Sequence, residues 1–264
     1  MEKSRAELRQ ALRDIQAVRE ELGAANRAKD HFIAALSHEL RTPLTPVMLA
    51  VQTLSRRSDL PEPARDALEM IRRNVKIESH LIDDLLDLTR ISSGKFEVVS
   101  EPVDLHAAVA GAIEICESEI RGKQQTLTVA LEALCSRTEG DFDRLQQVVW
   151  NLLRNASKFT RNGGAIRVSS RSEGNRFFLA VSDDGVGIGR DVLPTMFDTF
   201  NRGGERIARE LGGLGLGLAI SKATIEAHGG VIRAASGGQD QGAVVTVELP
   251  LTASADPSPC KDDS

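Results

Sequence analysis

One histidine of this chain stands among residues that could make it a nucleophile: Ser37-His38-Glu39-Leu40-Arg41-Thr42-Pro43. A neutral imidazole at pH 7 keeps a lone pair on one ring nitrogen. Glu39 could accept a hydrogen bond from the other ring N–H, which would fix the tautomer and raise the basicity of the ring. At about 100° per helical residue, His38 falls about 200° from the apolar stripe that runs through Leu36 and Leu40, and so faces solvent. Thr42, one turn later, lies close to the same azimuth. A solvated surface histidine would give the same local pattern. His31, His80, His106 and His228 lack these neighbours and are expected in surface or structural roles.

Four downstream segments carry groups that suit phosphate, magnesium and a purine. In Asn151-Leu152-Leu153-Arg154-Asn155-Ala156-Ser157-Lys158, the two asparagines share a helix face and Lys158 lies one turn further on. Neutral amide oxygens can ligate Mg²⁺, and an ammonium can meet phosphate charge. Asp183-Asp184-Gly185-Val186-Gly187-Ile188 follows an apolar strand. A carboxylate at a strand end can accept the amino hydrogens of adenine, and glycines let the backbone approach the ring. The spacing is not that of the dinucleotide fingerprint. Met196-Phe197-Asp198-Thr199-Phe200 comes next, followed by Asn201-Arg202-Gly203-Gly204. In Gly212-Gly213-Leu214-Gly215-Leu216-Gly217-Leu218-Ala219, glycines at a helix start let backbone N–H groups point at phosphate, aided by the helix dipole. The stretch 189–213 fits a mobile lid. Taken singly, each segment also suits a plainer role: a polar helix face, a surface turn, a buried aromatic pair or a flexible glycine turn.

Long helices must carry His38. Residues 1–30 place Leu8, Leu12, Ile15, Val18, Leu22 and Ala25 at coiled-coil spacing with one three-residue stammer, which overwinds a supercoil locally. The helix continues with Phe32, Leu36, Leu40, Pro43, Val47, Ala50 and Leu54 on one stripe, and a kink is expected at Pro43. Ser58-Asp59-Leu60-Pro61-Glu62-Pro63 must break it. A second helix from about Ala64 carries Leu68, Ile71, Val75, Ile82, Leu85 and Leu88, and ends near Gly94. One apolar stripe per helix cannot close a core within one hairpin; two hairpins can, as a four-helix bundle. Dimerisation is therefore expected from burial alone.

Beyond Gly94 the pattern becomes α+β. Helices are expected over about 103–121, 141–159 and 215–228. Strands are expected at Leu127–Leu131, Ile166–Ser170, Phe177–Val181, Val231–Ala235 and Val244–Leu249. The Ser-, Pro- and Asp-containing tail 252–264 reads as disordered. The domain expectation is thus 1–30 coiled coil, 31–94 helical hairpin, 95–251 α+β domain, then the tail.

A length of 264 residues with 41% hydrophobic residues suffices to bury a sizeable core. The net charge of −5 and the 3% of aromatics, with no Tyr, disfavour a nucleic-acid binder. Cys116, Cys135 and Cys260 show no pairing or metal spacing, as expected of incidental thiols in a reducing cytosol. No run approaches the roughly 20 apolar residues of a membrane span, and no signal peptide is visible. A cytoplasmic segment without membrane contact is expected, whether or not the full-length protein has an anchor or sensor upstream.

The segment Phe32–Leu44 closely resembles the phosphoacceptor box of sensor histidine kinases, and Leu81–Arg90 resembles the end of that family's second hairpin helix. The four downstream segments, in order, resemble the family's N, first glycine, F and second glycine boxes, in a superfamily shared with DNA gyrase. The resemblance covers about residues 30–250. It implies a dimeric four-helix bundle followed by an α/β-sandwich (Bergerat-type) ATP-binding domain. It implies that His38 is phosphorylated, that Glu39 assists, and that Thr42 positions water for dephosphorylating the partner. It further implies Asp183 on adenine beside Gly185, Gly187 and Ile188, and Asn151 and Asn155 on Mg²⁺. Lys158 and Arg202 would meet phosphate, Phe200 belongs to the F box, and Gly213, Leu214, Gly215, Leu216 and Gly217 would surround the phosphates. Asp184 stands where the family often has Asn, adding negative charge beside adenine, and Thr199 stands where Pro is common.

The expected activity is autophosphorylation on His38 with Mg-ATP, then transfer to an aspartate of a response-regulator receiver domain. Two alternatives remain at this level: an ATP hydrolase of the same superfamily, and an inactive dimeric scaffold. The hydrolase relatives resemble this domain but carry a Glu base where Asn151 stands, and an amide cannot take a proton. No kinase set of the Ser/Thr type is present.

Overall fold

The computed structural model describes residues 2–57, 59–199 and 215–252; some helical side chains, among them His38, lie outside the described set. The chain divides into two compact units, Met1–Phe96 and Glu97–Ser264.

The first unit is a helical hairpin of α1 (Glu2–Ser55) and α2 (Glu62–Ser92). Helix α1 continues unbroken through Pro43 and Pro46. Prolines near the N-terminus of α2 cost little, because N–H groups there have no intrahelical partner. At the other end Gly94 takes φ +67° and donates to the Ile91 carbonyl at 3.1 Å, which closes the helix.

The face of α1 buried in the hairpin differs from the stripe expected. Ser37 and Val51 are buried, with Ile33, Leu44 and Met48 half-buried beside them. Leu36, Leu40, Val47 and Leu54 are 38%, 44%, 41% and 41% exposed. At about 100° per residue, the exposed four fall within about 40° of one another, and the buried set is centred about 70° round the helix from them. Helix α1 therefore has two apolar faces rather than one. The pattern of large side chains misses the buried face because Ser37 sits in it. Its hydroxyl is satisfied by the Ile33 carbonyl at 2.8 Å, so burial carries little penalty. On α2, Val75 and Ile82 are buried together with Asp84, Asp87 and Thr89. Arg41 and Asp83 form an exposed ion pair between the helices.

The second unit contains β1 (Glu101–Asp104), α3 (Leu105–Gly122), β2 (Thr126–Leu131), β3 (Arg137–Gly140), α4 (Phe142–Phe159), β4 (Ala165–Glu173), β5 (Arg176–Asp183), α5 (Gly217–Ala227), β6 (Val231–Ala235) and β7 (Ala243–Pro250). Five strands form one mixed sheet in the order β2-β4-β5-β7-β6, with β2 and β4 parallel and the other pairs antiparallel. Alternation drives this sheet. Ile166 and Val168 of β4, Phe177, Leu179 and Val181 of β5, and Val247 and Leu249 of β7 all point to one buried face. Val109 and Cys116 of α3, Leu145, Leu152 and Leu153 of α4, and Ile225 of α5 complete that core. Burial pushes the Cys116 thiol up to about 12.

The small antiparallel sheet of β1 and β3 was not expected. Both strands are four residues long and mostly polar, so neither has a readable apolar period. They pair because Val103 and Thr138 are buried, the latter donating to the Pro250 carbonyl at 2.7 Å. Helix α3 accordingly begins at Leu105 rather than 103. Asp104 caps it by accepting from the His106 N–H at 2.9 Å.

Candidate nucleotide and phosphoacceptor site

Helix α4 buries Leu145, Val148, Leu152 and Ala156 on its sheet side, which leaves Asn155 and Lys158 half-buried at its edge. Asn151 is only 5% exposed. Its Nδ2 donates to the Gly217 carbonyl at 3.4 Å, the first residue of α5. A Cβ on Gly217 would stand 3.1 Å from Asn151 Oδ1, so a glycine lets the start of α5 reach this amide.

Lys158 lies with its ammonium 5.1 Å from the Phe159 ring centroid. Burial holds its pKa below the ordinary lysine value, and the nearby cations Arg154 and Lys123 push the same way. A region of concentrated positive charge suits a polyanion. The end of α4 is finished from the residue just before β2, where Gln125 Nε2 donates to the carbonyls of Ser157 at 2.9 Å and Thr160 at 3.0 Å. Gln125 Oε1 accepts from the Ser157 hydroxyl at 2.8 Å, and Lys123 Nζ also reaches the Ser157 carbonyl at 3.0 Å. Sequence reasoning missed Gln125, because a glutamine 32 residues from the serine it caps has no local signature.

Asp183 ends β5 and accepts from the Gly185 N–H at 3.0 Å. Burial pushes its carboxyl above the usual range; the N–H groups of Gly185 and Ala243 oppose this, while the charge of Asp184 adds to it. The loop that follows is held on two sides. Val186 N–H donates to the Phe159 carbonyl at the end of α4 at 3.2 Å. From the connection between β6 and β7, Asp240 N–H reaches the Val186 carbonyl at 2.8 Å and Gly242 N–H the Gly185 carbonyl at 3.1 Å. Gly187 has φ +69°, and a side chain there would also run into the Gly238 carbonyl. The Asp184 carboxylate accepts from the Ala165 N–H of β4 at 2.9 Å.

Helix α5 starts at Gly217, with Gly215 at φ +70° and the buried Leu216 just before it. Asp104 and Asp141 cap α3 and α4 with side-chain oxygens, whereas α5 has no side-chain cap bond among the described residues. Uncapped N–H groups at a helix start are an anion-binding feature. His228, at the other end of α5, accepts from the Asp141 N–H through Nε2 at 2.9 Å and faces the Thr224 carbonyl through Nδ1 at 2.7 Å. It ties the end of α5 to the start of α4.

The structure thus brings together Asn151 with Gly217, and Gly185, Val186 and Ile188 with Phe159, Ser236 and Gly242. Phe200, Arg202, Gly213 and Leu214 lie outside the described residues, as do the tail 253–264 and Ser58. In the first unit, Glu39 and Thr42 are exposed on α1; the outward azimuth expected for His38 falls on a side chain outside the described set.

A mixed sheet with helices on one face and a glycine loop against the end of the central helix defines an ATPase-type nucleotide-binding domain. Residues 140–253 match the family described as histidine kinase-, DNA gyrase B- and HSP90-like ATPase, and residues 28–94 match the His Kinase A (phospho-acceptor) domain. The chain belongs to the sensor histidine kinases, whose two core domains it carries in order. It is similar to the circadian input-output histidine kinase CikA of Synechococcus elongatus, at 36% identity over 91% of this chain and 33% of that protein. It is also similar to the virulence sensor protein BvgS of Bordetella bronchiseptica, at 34% identity over 94% of this chain and 20% of that protein. Among solved structures, full-length ShkA in complex with AMPPNP aligns with a TM-score of 0.66 at 28% identity, covering 85% of this chain and 46% of that one. The chain spans less than half the length of the curated relatives it matches first.

Proposed function

We propose that this chain transfers the γ-phosphoryl group of Mg-ATP to a ring nitrogen of His38, and that the phosphoryl group then passes to an aspartate on a response-regulator receiver domain. One combination carries this reading. A phosphoacceptor-domain match spans His38, and on the same chain an ATPase-family unit gathers Asn151, Gly217 and the Asp183 loop. The complex of ShkA with AMPPNP, an ATP analogue, adds support from a relative.

Phosphoryl transfer asks a protein mainly for positioning and charge neutralisation. The lone pair of the His38 ring forms the N–P bond as the bond to the departing diphosphate breaks, and Glu39 holds the proton on the other ring nitrogen. Asp183 accepts from the adenine amino group, and the backbone of Gly185, Gly187 and Ile188 lies against the base. Lys158, with Arg154 and Lys123 near it, attracts the phosphates. The N–H groups that start α5, with Gly213, Leu214, Gly215 and Leu216 before it, and Arg202 beyond the F-box Phe200, complete the phosphate site. Asn151 and Asn155 would hold Mg²⁺; their neutral oxygens fit a hard cation, which when bound neutralises charge between phosphate oxygens. Thr42 would position water when the regulator is dephosphorylated. Asn151 lacks the basicity for fast hydrolysis, so the hydrolase alternative is not favoured.

We assign residues 1–30 to a coiled coil, 31–94 to the dimerisation and phosphotransfer hairpin, 95–251 to the catalytic domain and 252–264 to a tail. The uncovered stripe of Leu36, Leu40, Val47 and Leu54 supports a homodimer, since a second hairpin would cover it. No helix among the described residues is long and apolar enough to cross a membrane. We place the chain in the cytoplasm, where ATP and receiver domains are found, without nucleic-acid or membrane contacts of its own. Incubation with γ-labelled ATP tests the central claim. The wild type should take up an acid-labile, base-stable label that is absent from His38→Ala. Equal labelling of the two proteins would end this reading.

A further inference from the structure

The loop that follows Asp183 is shaped from outside by one hydroxyl. Ser236, just after β6, has its Oγ 2.6 Å from the Gly242 carbonyl and 3.3 Å from the Gly238 carbonyl. A hydroxyl has one hydrogen, and the shorter contact takes it. Its two lone pairs then accept from the Ile188 N–H at 3.0 Å and from the Gly238 N–H at 3.2 Å. The hydroxyl is thus saturated by three backbone groups on two different segments.

Those bonds fall where the two segments are closest. Gly187 is pressed against the Gly238 carbonyl, and Gly242 against the Asp183 carbonyl, so neither position has room for a side chain. Both glycines also take positive φ, +69° and +65°. The neighbouring Asp240 N–H holds the Val186 carbonyl, and Asp240 itself pairs with Arg161 just beyond α4 at 2.5 Å. The other ties in this connection are main-chain bonds or an exposed ion pair. Ser236 supplies a side chain that reaches the backbone of Ile188.

We infer that Ser236 is a positioning residue of the purine subsite: its hydroxyl holds the backbone of Gly187–Ile188 in the shape that receives the base, without touching the nucleotide. This deepens the proposed ATP reading and rests on it. Without the hydroxyl, the Ile188 N–H loses its acceptor and the loop samples other shapes. Nucleotide must then pay for reordering it, which weakens binding but not the chemistry once ATP is bound.

The test compares wild type, Ser236→Ala and Ser236→Thr as full chains. Autophosphorylation is followed against Mg-ATP concentration, and amide hydrogen exchange is followed without nucleotide. In Ser236→Ala the ATP concentration for half-maximal rate should rise about three- to tenfold, as expected for one lost backbone anchor, with the rate at saturation within about twofold of wild type. Exchange at Ile188 should quicken while that of β5 stays unchanged. Ser236→Thr, which keeps the hydroxyl, should recover most of the affinity. An unchanged half-maximal concentration, a fall in saturating rate alone, or loss of the cooperative unfolding transition in Ser236→Ala would each overturn the assignment. A wild type that takes up no phosphate would instead sink the kinase reading itself.

Discussion

The two units solve the problem of burial in opposite ways. The Glu97–Ser264 unit closes its own core: three helices cover one face of the sheet, and Leu153, Val168 and Ile225 are wholly buried in a single chain. The Met1–Phe96 unit does not. It buries Val51, Val75 and Ile82, leaves a row of leucines on α1 in solvent, and places Asp84 and Asp87 among its few buried residues. A sheet with one covered face is complete as a monomer, whereas a helix in a bundle needs neighbours on two sides. The catalytic unit is accordingly expected to be stable at any concentration, and the hairpin to depend on a second copy.

The comparison can be broken most sharply in the closed core. Leu153→Ala should cost about 2–5 kcal/mol in urea unfolding of the catalytic unit, with no dependence on protein concentration. A loss that varied with concentration would mean that this unit, too, relies on a partner. The next largest effect belongs to the hairpin. Leu36→Asp with Leu40→Asp should weaken dimerisation by about a hundredfold or more in sedimentation equilibrium, while ATP affinity stays unchanged. Dimers of undiminished strength would show that the uncovered stripe is not the interface.

Asp183→Asn sharpens the contrast between stability and function inside the catalytic unit. Burial raises the Asp183 carboxyl in the folded state. A raised acid contributes stability that is complete below the unfolded carboxylate value and is lost as pH rises through the folded value. Ionised Asp183 therefore weakens the nucleotide-free fold at neutral pH. The substitution should raise Tm at pH 7, leave it unchanged below the carboxylate range, and weaken ATP binding about tenfold. A lower Tm at pH 7 would refute the sign. The smallest effect is expected at Arg41, paired with Asp83 on the exposed side of the hairpin. Arg41→Ala should change hairpin stability by less than about 1 kcal/mol, because solvent screens such pairs.

The candidate site residues are those with local signals. Asn151, Asn155 and Lys158 are read from helical spacing, and Asp183 with its glycines from the end of an apolar strand. The supports were not legible. Gln125, Ser236 and His228 act across 32, 48 and 87 residues of chain, and a side chain that caps a distant backbone group leaves no period to detect. The bond from β4 to Asp184 was missed for the same reason, since its partner is 19 residues away.

By itself the sequence determined the two long helices, the three later helices and the five strands of the main sheet, because those follow from periods of two and of 3.6 along the chain. Only tertiary structure decided which face of α1 meets α2, that β1 and β3 pair, and how the loop after Asp183 is held. The first depends on how two helices pack, and the other two on polar groups finding partners far away in the chain; both are specified by packing rather than by any local pattern.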